Sequence, residues 1–205
     1  MLRKIADSIS KIEETYEGTK EFRAKNISEI IKNKKCKYTL LHDGGAGCSQ
    51  NDPTVSIGNR IDLSKEDWFA FEDNFGTSEE KAFVAYFKGF VPQLKAKYDK
   101  VYLVRNERQL HIYSFEGGER FEPDYLLFLH TPNGEGYEQL QIFIEPKGKP
   151  FIDGDKWKED FLLELENKAI PVKKLKDDNK YKICGFHFFN REERMKEFDD
   201  DMGKL

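Results

Sequence analysis

Two apolar runs constrain this chain more than anything else in it: Phe121-Glu122-Pro123-Asp124-Tyr125-Leu126-Leu127-Phe128-Leu129 and, one strand later, Gln141-Ile142-Phe143-Ile144-Glu145-Pro146-Lys147-Gly148. Their β-branched and aromatic content reads as neighbouring strands. Asp, Glu and Lys are depleted from strand interiors, because a charge beside a core is costly unless it is paired or binds a metal. Side chains alternate faces along a strand, so Gln141, Phe143, Glu145 and Lys147 share one face while Ile142, Ile144 and Pro146 take the other. Glu145 and Lys147 become neighbours in space. Asp124, at the start of the adjacent strand, is placed to reach the same end of the sheet.

The rest of the chain supplies layers to cover such a sheet. Its 205 residues suffice for one main core but are short for two full domains. With 17 Phe and 9 Tyr it is too aromatic for a disordered chain, and with 35% charged residues too polar for a membrane one. No apolar stretch approaches the ~18 residues of a membrane span, and Met1-Leu2-Arg3-Lys4 runs straight into a charged segment without a signal pattern, so the cytoplasm is the expected location. The net charge of -4 argues against nonspecific coating of nucleic acid. Lysine runs at 32–37 and 173–182 read as solvated surface or local phosphate contacts. Cys36, Cys48 and Cys184 are scattered, and His42, His111, His130 and His187 lack ligand spacing, so neither a disulfide framework nor a zinc site is indicated.

Residues 3–35 carry two apolar stripes at helical spacing, read as two helices broken near Gly18, and Asp43 to Gly58 reads as a long loop. Thr77-Ser78-Glu79-Glu80 makes a capping box, with Phe83, Phe87 and Phe90 following as an apolar stripe, and Pro92 is expected to kink or end that helix. Val101 to Arg105 and Leu110 to Phe115 read as a hairpin around Asn106-Glu107-Arg108. Strands over Pro123 to His130 and Tyr137 to Glu145 come next, then a helix from Lys156 to Lys168, with Trp157 and Phe161 read as core. A strand from Tyr181 to Asn190 and a helix from Arg191 complete the chain. The order predicts an α/β fold, a mixed sheet flanked by helices.

Two carboxylates and an ammonium at one sheet end suit a hard divalent cation. Mg²⁺ takes oxygen ligands and keeps several waters, so one or two carboxylates can hold it. A lysine beside it can offset charge developing on a phosphorane-like transition state. Taken singly, Glu145 and Lys147 could be a surface pair and Asp124 a turn residue. Taken with Glu80 on the preceding helix, they favour a site.

Pro123-Asp124 followed by Glu145-Pro146-Lys147 resembles the signature of the PD-(D/E)XK nuclease superfamily. The closer resemblance is to the C-terminal endonuclease domain of the restriction (Res) subunit of type III restriction enzymes. It covers about residues 77 to 190 and is carried by Thr77-Ser78-Glu79-Glu80-Lys81-Ala82-Phe83-Val84, Phe121 to Leu127, Ile144 to Gly148 and Trp157-Lys158-Glu159-Asp160-Phe161-Leu162. The resemblance implies a restriction-endonuclease-like sheet of helix, three to four strands, helix, strand. Residues 77–205 would form the endonuclease domain, and residues 1–76 a helical and loop extension serving as linker or packing layer. Asp124, Glu145 and the Pro146 carbonyl would bind Mg²⁺, with Mn²⁺ as a substitute; Glu80 would stand near the metal, with Glu79 the weaker candidate, and Lys147 would be the catalytic lysine.

The activity implied is that of a Mg²⁺-dependent type III site-specific deoxyribonuclease acting on double-stranded DNA. Its partners would be a helicase/ATPase motor domain in the full-length protein and a modification methyltransferase subunit, with no membrane involved. The chain itself has no GxxxxGK[ST], since Asp43-Gly44-Gly45-Ala46-Gly47-Cys48 lacks the lysine, so ATPase activity is not expected of it. A non-catalytic, nuclease-like DNA-binding or assembly module is the alternative.

Overall fold

The runs that dominate the sequence lie side by side at the centre of a four-stranded sheet. In the computed structural model, residues 18, 21–22, 31, 47–131, 139–168, 170–171 and 181–205 are described, so most of the two helices expected over 3–35 lies outside the described residues; where that span is described, Glu21–Phe22 is a strand paired in parallel with Ile170–Pro171, not helix. The elements are β1 (Glu21–Phe22), α1 (Ser78–Lys97), β2 (Lys100–Arg105), β3 (Ile112–Tyr113), β4 (Arg120–Phe121), β5 (Tyr125–His130), β6 (Gln139–Ile144), α2 (Lys156–Lys168), β7 (Ile170–Pro171), β8 (Tyr181–Gly185) and α3 (Met195–Gly203). The central sheet has the order β2-β5-β6-β8. Its first three strands are antiparallel and β8 is parallel to β6. A parallel pair needs a long crossover, and α2 lies within it. The fold is thus mixed α/β, as the element order predicts. Among the described residues no helix is long and apolar enough to cross a membrane.

The helix α1 starts where the capping box puts it: the Glu80 N–H donates to Thr77 Oγ1 at 3.3 Å. It buries Ala82, Phe83, Val84, Phe87, Val91 and Leu94. Pro92 neither ends nor caps it, since the helix runs on to Lys97 and the Tyr98 N–H still donates to the Leu94 carbonyl. Pro92 and Lys88 both lie on the exposed face, where water can satisfy the Lys88 carbonyl that proline leaves without its usual donor, while Val91 and Leu94 keep the other face packed. Phe83 sits at the middle of the core, its ring 5.0 Å from Tyr125, 5.4 Å from Phe189 and 6.0 Å from Phe198. From the stretch read as an N-terminal extension, Ile61, Leu63, Trp68, Phe69 and Phe71 enter this same core.

The hairpin expected between β2 and the following run does not form. Strand β2 pairs with β5, and its outer edge is covered by Trp68 to Ala70, with Leu103 donating to the Trp68 carbonyl at 2.7 Å. Strand β3 pairs instead with β4. Asn106 explains the change. Its side-chain amide donates to the carbonyls of Leu110 and Pro123, and its Oδ1 accepts from the N–H groups of Gln109 and Leu110, which ties the loop to the start of β5 instead of folding it back along β2. The last strand is also shorter than expected, stopping at Gly185, and α3 begins at Met195 rather than Arg191. Asn190 Oδ1 accepts from the Glu192 and Glu193 N–H groups and holds that stretch as a turn.

Strand β8 lies directly on α2, and Gly185 makes the approach possible: a Cβ there would stand 2.6 Å from the Leu162 carbonyl oxygen and 2.7 Å from Leu162 Cβ. Gly89, within α1, has nothing near its missing side chain. Gly185→Ala is expected to destabilise by about 1–3 kcal/mol through overpacking, and Gly89→Ala to stabilise by about 0.4–1 kcal/mol. Urea unfolding of the two variants checks the pair.

Candidate active site

The antiparallel register sets Tyr125 opposite Ile144, so Asp124 and Glu145 face each other one step beyond the paired strands. The Asp124 N–H donates to Glu145 Oε2 at 3.1 Å. Glu145 Oε1 stands 2.8 Å from Lys147 Nζ. Glu145 is almost wholly buried. The sheet end therefore joins Asp124, Glu145 and Lys147, as the strand alternation predicts.

The segment after β8 fixes the far side of the strand. Phe189 N–H donates to the Glu145 carbonyl and Lys147 N–H to the Phe189 carbonyl, both at 3.0 Å. Successive carbonyls of an extended chain point to opposite edges, so the Pro146 carbonyl is directed away from Phe189, toward the side of Asp124. Asn190 Nδ2 donates to the Lys147 carbonyl at 2.8 Å. The Phe188 ring lies 5.6 Å from Lys147 Nζ.

Glu80 is drawn elsewhere. Its Oε2 accepts from Arg105 Nε at 3.1 Å, and Arg105 also bonds Glu107. Burial would lower the pKa of the guanidinium, but Glu80, Tyr125 and Glu107 outweigh it and hold it above its usual value. Glu80 thus reaches Asp124 as a charge rather than a contact. Glu79 lies beside the segment that follows Lys147, its Oε1 3.4 Å from where a Cβ on Gly148 would stand.

Two residues belong to this cluster without a signal in the sequence. Asp155, just before α2, accepts Lys147 Nζ on Oδ2 at 2.8 Å, and the same oxygen takes Lys158 Nζ at 2.9 Å. An Asp at a helix start reads as a cap, so nothing local marks it. Arg105 at the end of β2 reads equally well as surface. Of the residues read as core, Phe161 is buried, whereas Trp157 leaves 37% of its surface open. His130 and His187 pair with Asp99 and Asp201, each at 2.7 Å, away from the cluster.

Burial, then the charges of Glu145 and Glu80, push the Asp124 carboxyl well above the usual range, with Lys147 and Arg105 pulling the other way. Burial also raises Glu145, against the pull of Lys147. Burial would lower Lys147, but Glu145 and Asp155 outweigh it and leave the ammonium above its ordinary value. Asp155 is held low despite burial, by Lys147 and Lys158.

Among the described residues no donor bonds the Asp124 carboxylate. A carboxylate in that position is a natural ligand for a hard cation. Among the described residues, no three His, Cys, Asp or Glu side chains gather as a complete metal cage. Asp124, Glu145 and the Pro146 carbonyl would leave the rest of an octahedral shell to water and phosphate oxygens, which is the way Mg²⁺ is usually held.

The family model described as the HI_1054_C C-terminal domain matches residues 15–204. A protein of Haemophilus influenzae (strain ATCC 51907 / DSM 11121 / KW20 / Rd), named only as uncharacterized, is 33% identical over 190 residues, which cover 89% of this chain and 38% of that protein. The chain therefore spans well under half the length of the curated relative it matches. No solved structure matches the chain.

Because folding raises the pKa of both Asp124 and Glu145, their stabilising contribution is fully present below the unfolded values, about 3.9 and 4.3, and is lost as pH rises through the folded ones. Asp124→Asn removes one such charge while keeping the shape. In metal-free buffer it should unfold at a higher temperature than the wild type at neutral pH, and the gap should close toward about pH 4. Thermal scans across that range check this; a gap that widened on acidification would contradict it.

Proposed function

The chain belongs to the family of the HI_1054_C C-terminal domain, and we propose that it is a Mg²⁺-dependent DNA endonuclease domain of the PD-(D/E)XK kind. One observation carries the reading. Asp124 and Glu145 meet at the joined ends of two central strands, and Lys147 stands 2.8 Å from the second acid. The order α1, three antiparallel strands, α2 and a strand parallel to β6 supports a restriction-endonuclease-like fold.

In this reading a bound Mg²⁺ supplies Lewis-acid polarisation of the phosphodiester and a more acidic water. Asp124, Glu145 and the Pro146 carbonyl would hold it. Lys147, kept protonated by its acidic neighbours, serves as a fixed cation for charge that develops on the phosphate oxygens, not as a proton acceptor. The sheet end excludes water on the side of Phe188 and Phe189, so that charge is met by fixed groups.

The wider assignment is to a type III restriction system with double-stranded DNA as substrate. The matched family model is described as a C-terminal domain, and the relative is much longer than the chain. Both support a cutting unit that works beside other segments, here a helicase/ATPase motor and a modification methyltransferase subunit. The net charge of -4 fits a domain that relies on partners for DNA affinity.

Plasmid nicking with Mg²⁺ tests the reading. Asp124→Ala and Lys147→Ala should each lose on the order of a hundredfold or more in rate, with the far-ultraviolet spectrum unchanged. A Lys147→Ala protein that cuts as fast as the wild type would overturn the assignment. DNA binding without any nicking would instead mark a non-catalytic module.

A further inference from the structure

We propose that Asp155 is a positioning residue for Lys147, holding its ammonium at the edge of the acidic cluster so that it faces the substrate phosphate. The inference rests on the reading of Lys147 as the cation that meets a phosphodiester.

A lysine stem is long and has about 2 kcal/mol of rotamer entropy, so one ion pair fixes it poorly. Glu145 alone would draw the ammonium onto the acid whose charge the metal needs. Asp155 gives a second, separate anchor: Lys147 Nζ lies 2.8 Å from Glu145 Oε1 and 2.8 Å from Asp155 Oδ2. The Phe188 ring centroid lies 5.6 Å from the ammonium. An ammonium has three N–H donors. Two are taken by these acids, and the geometry leaves the third for a phosphate oxygen.

Asp155 is itself held firmly enough to act this way. Its N–H donates to the Phe151 carbonyl at 3.0 Å, and its own carbonyl accepts from the Lys158 N–H at 2.8 Å. Lys158 Nζ reaches the same Oδ2 at 2.9 Å and shares its charge. Lys147 is therefore guided by Asp155 without being fully neutralised by it. The helix start and the lysine are coupled through one oxygen atom.

Asp155→Ser keeps a residue able to cap α2 but too short to reach Lys147, and Asp155→Glu restores the carboxylate. In Mg²⁺-dependent cutting, Asp155→Ser should lower kcat by about 10- to 100-fold. KM for DNA should not change, the unfolding temperature should fall only as far as the loss of two ion pairs requires, and Asp155→Glu should recover part of the kcat loss. In a Lys147→Ala background the serine change should cost nothing further, because it acts through the missing group. An equal further loss there, or a loss carried by KM, would overturn the proposal.

A second readout does not depend on cutting. Acetic anhydride labelling followed by mass spectrometry should modify Lys147 about tenfold faster in Asp155→Ser, as expected when a hydrogen bond to a charged group is lost, with exposed Lys100 unchanged. Equal Lys147 labelling in the two proteins would overturn the positioning role whatever happens to kcat. Faster Lys147 labelling in a protein that never cuts would uphold the positioning role and overturn the nuclease reading alone.

Discussion

The bond from the Asp124 N–H to Glu145 Oε2 fixes the relation on which the rest of the site depends. A carboxylate placed at the end of an apolar strand has few routes to stability. It can be protonated, paired or bound by a cation. Here one oxygen of Glu145 is satisfied by the neighbouring strand and the other by Lys147, while Asp124, with two acids for neighbours, is left with its pKa raised. Charge is concentrated at this end of the central sheet. That is costly for folding and useful for chemistry.

The fold is arranged around keeping that place fixed. Antiparallel pairing of β5 and β6 sets Asp124 against Glu145, and the stretch after β8 bonds both the Glu145 carbonyl and the Lys147 N–H. Glu159 on α2 accepts from the Phe188 N–H, which ties that stretch to the helix. Asn106 holds the Pro123 carbonyl, so the loop before the first acid is as constrained as the strand after the second. These ties come from parts of the chain far apart in sequence. They converge on three residues.

Much of this was legible in the sequence wherever the signal is local. The Thr77 capping box gives the start of α1, the amphipathic run gives α2 from Lys156 to Lys168, and strand alternation gives the Glu145–Lys147 pair. What the sequence hid depends on tertiary partners. Arg105 takes Glu80 into an ion pair across elements, and Asp155 uses a cap-like position to reach two lysines. The β2–β3 hairpin failed because Asn106 binds the start of β5, an interaction without a sequence period. Pro92 stayed in its helix because the lost bond faces solvent. The core role of Ile61 to Phe71 escaped because that stretch has neither helical nor strand periodicity.

Calorimetric titration of Mn²⁺ into the wild type and Asp124→Asn, in two buffers of different ionisation enthalpy, tests the central assignment most directly. A cation held by carboxylates whose pKa is raised competes with protons for them, so at a pH where they are still partly protonated its binding releases protons. One saturable site with buffer-dependent heat is expected in the wild type and its loss in Asp124→Asn. No saturable binding in the wild type, or equal binding in the variant, would contradict the assignment of these acids to a metal-dependent nuclease site.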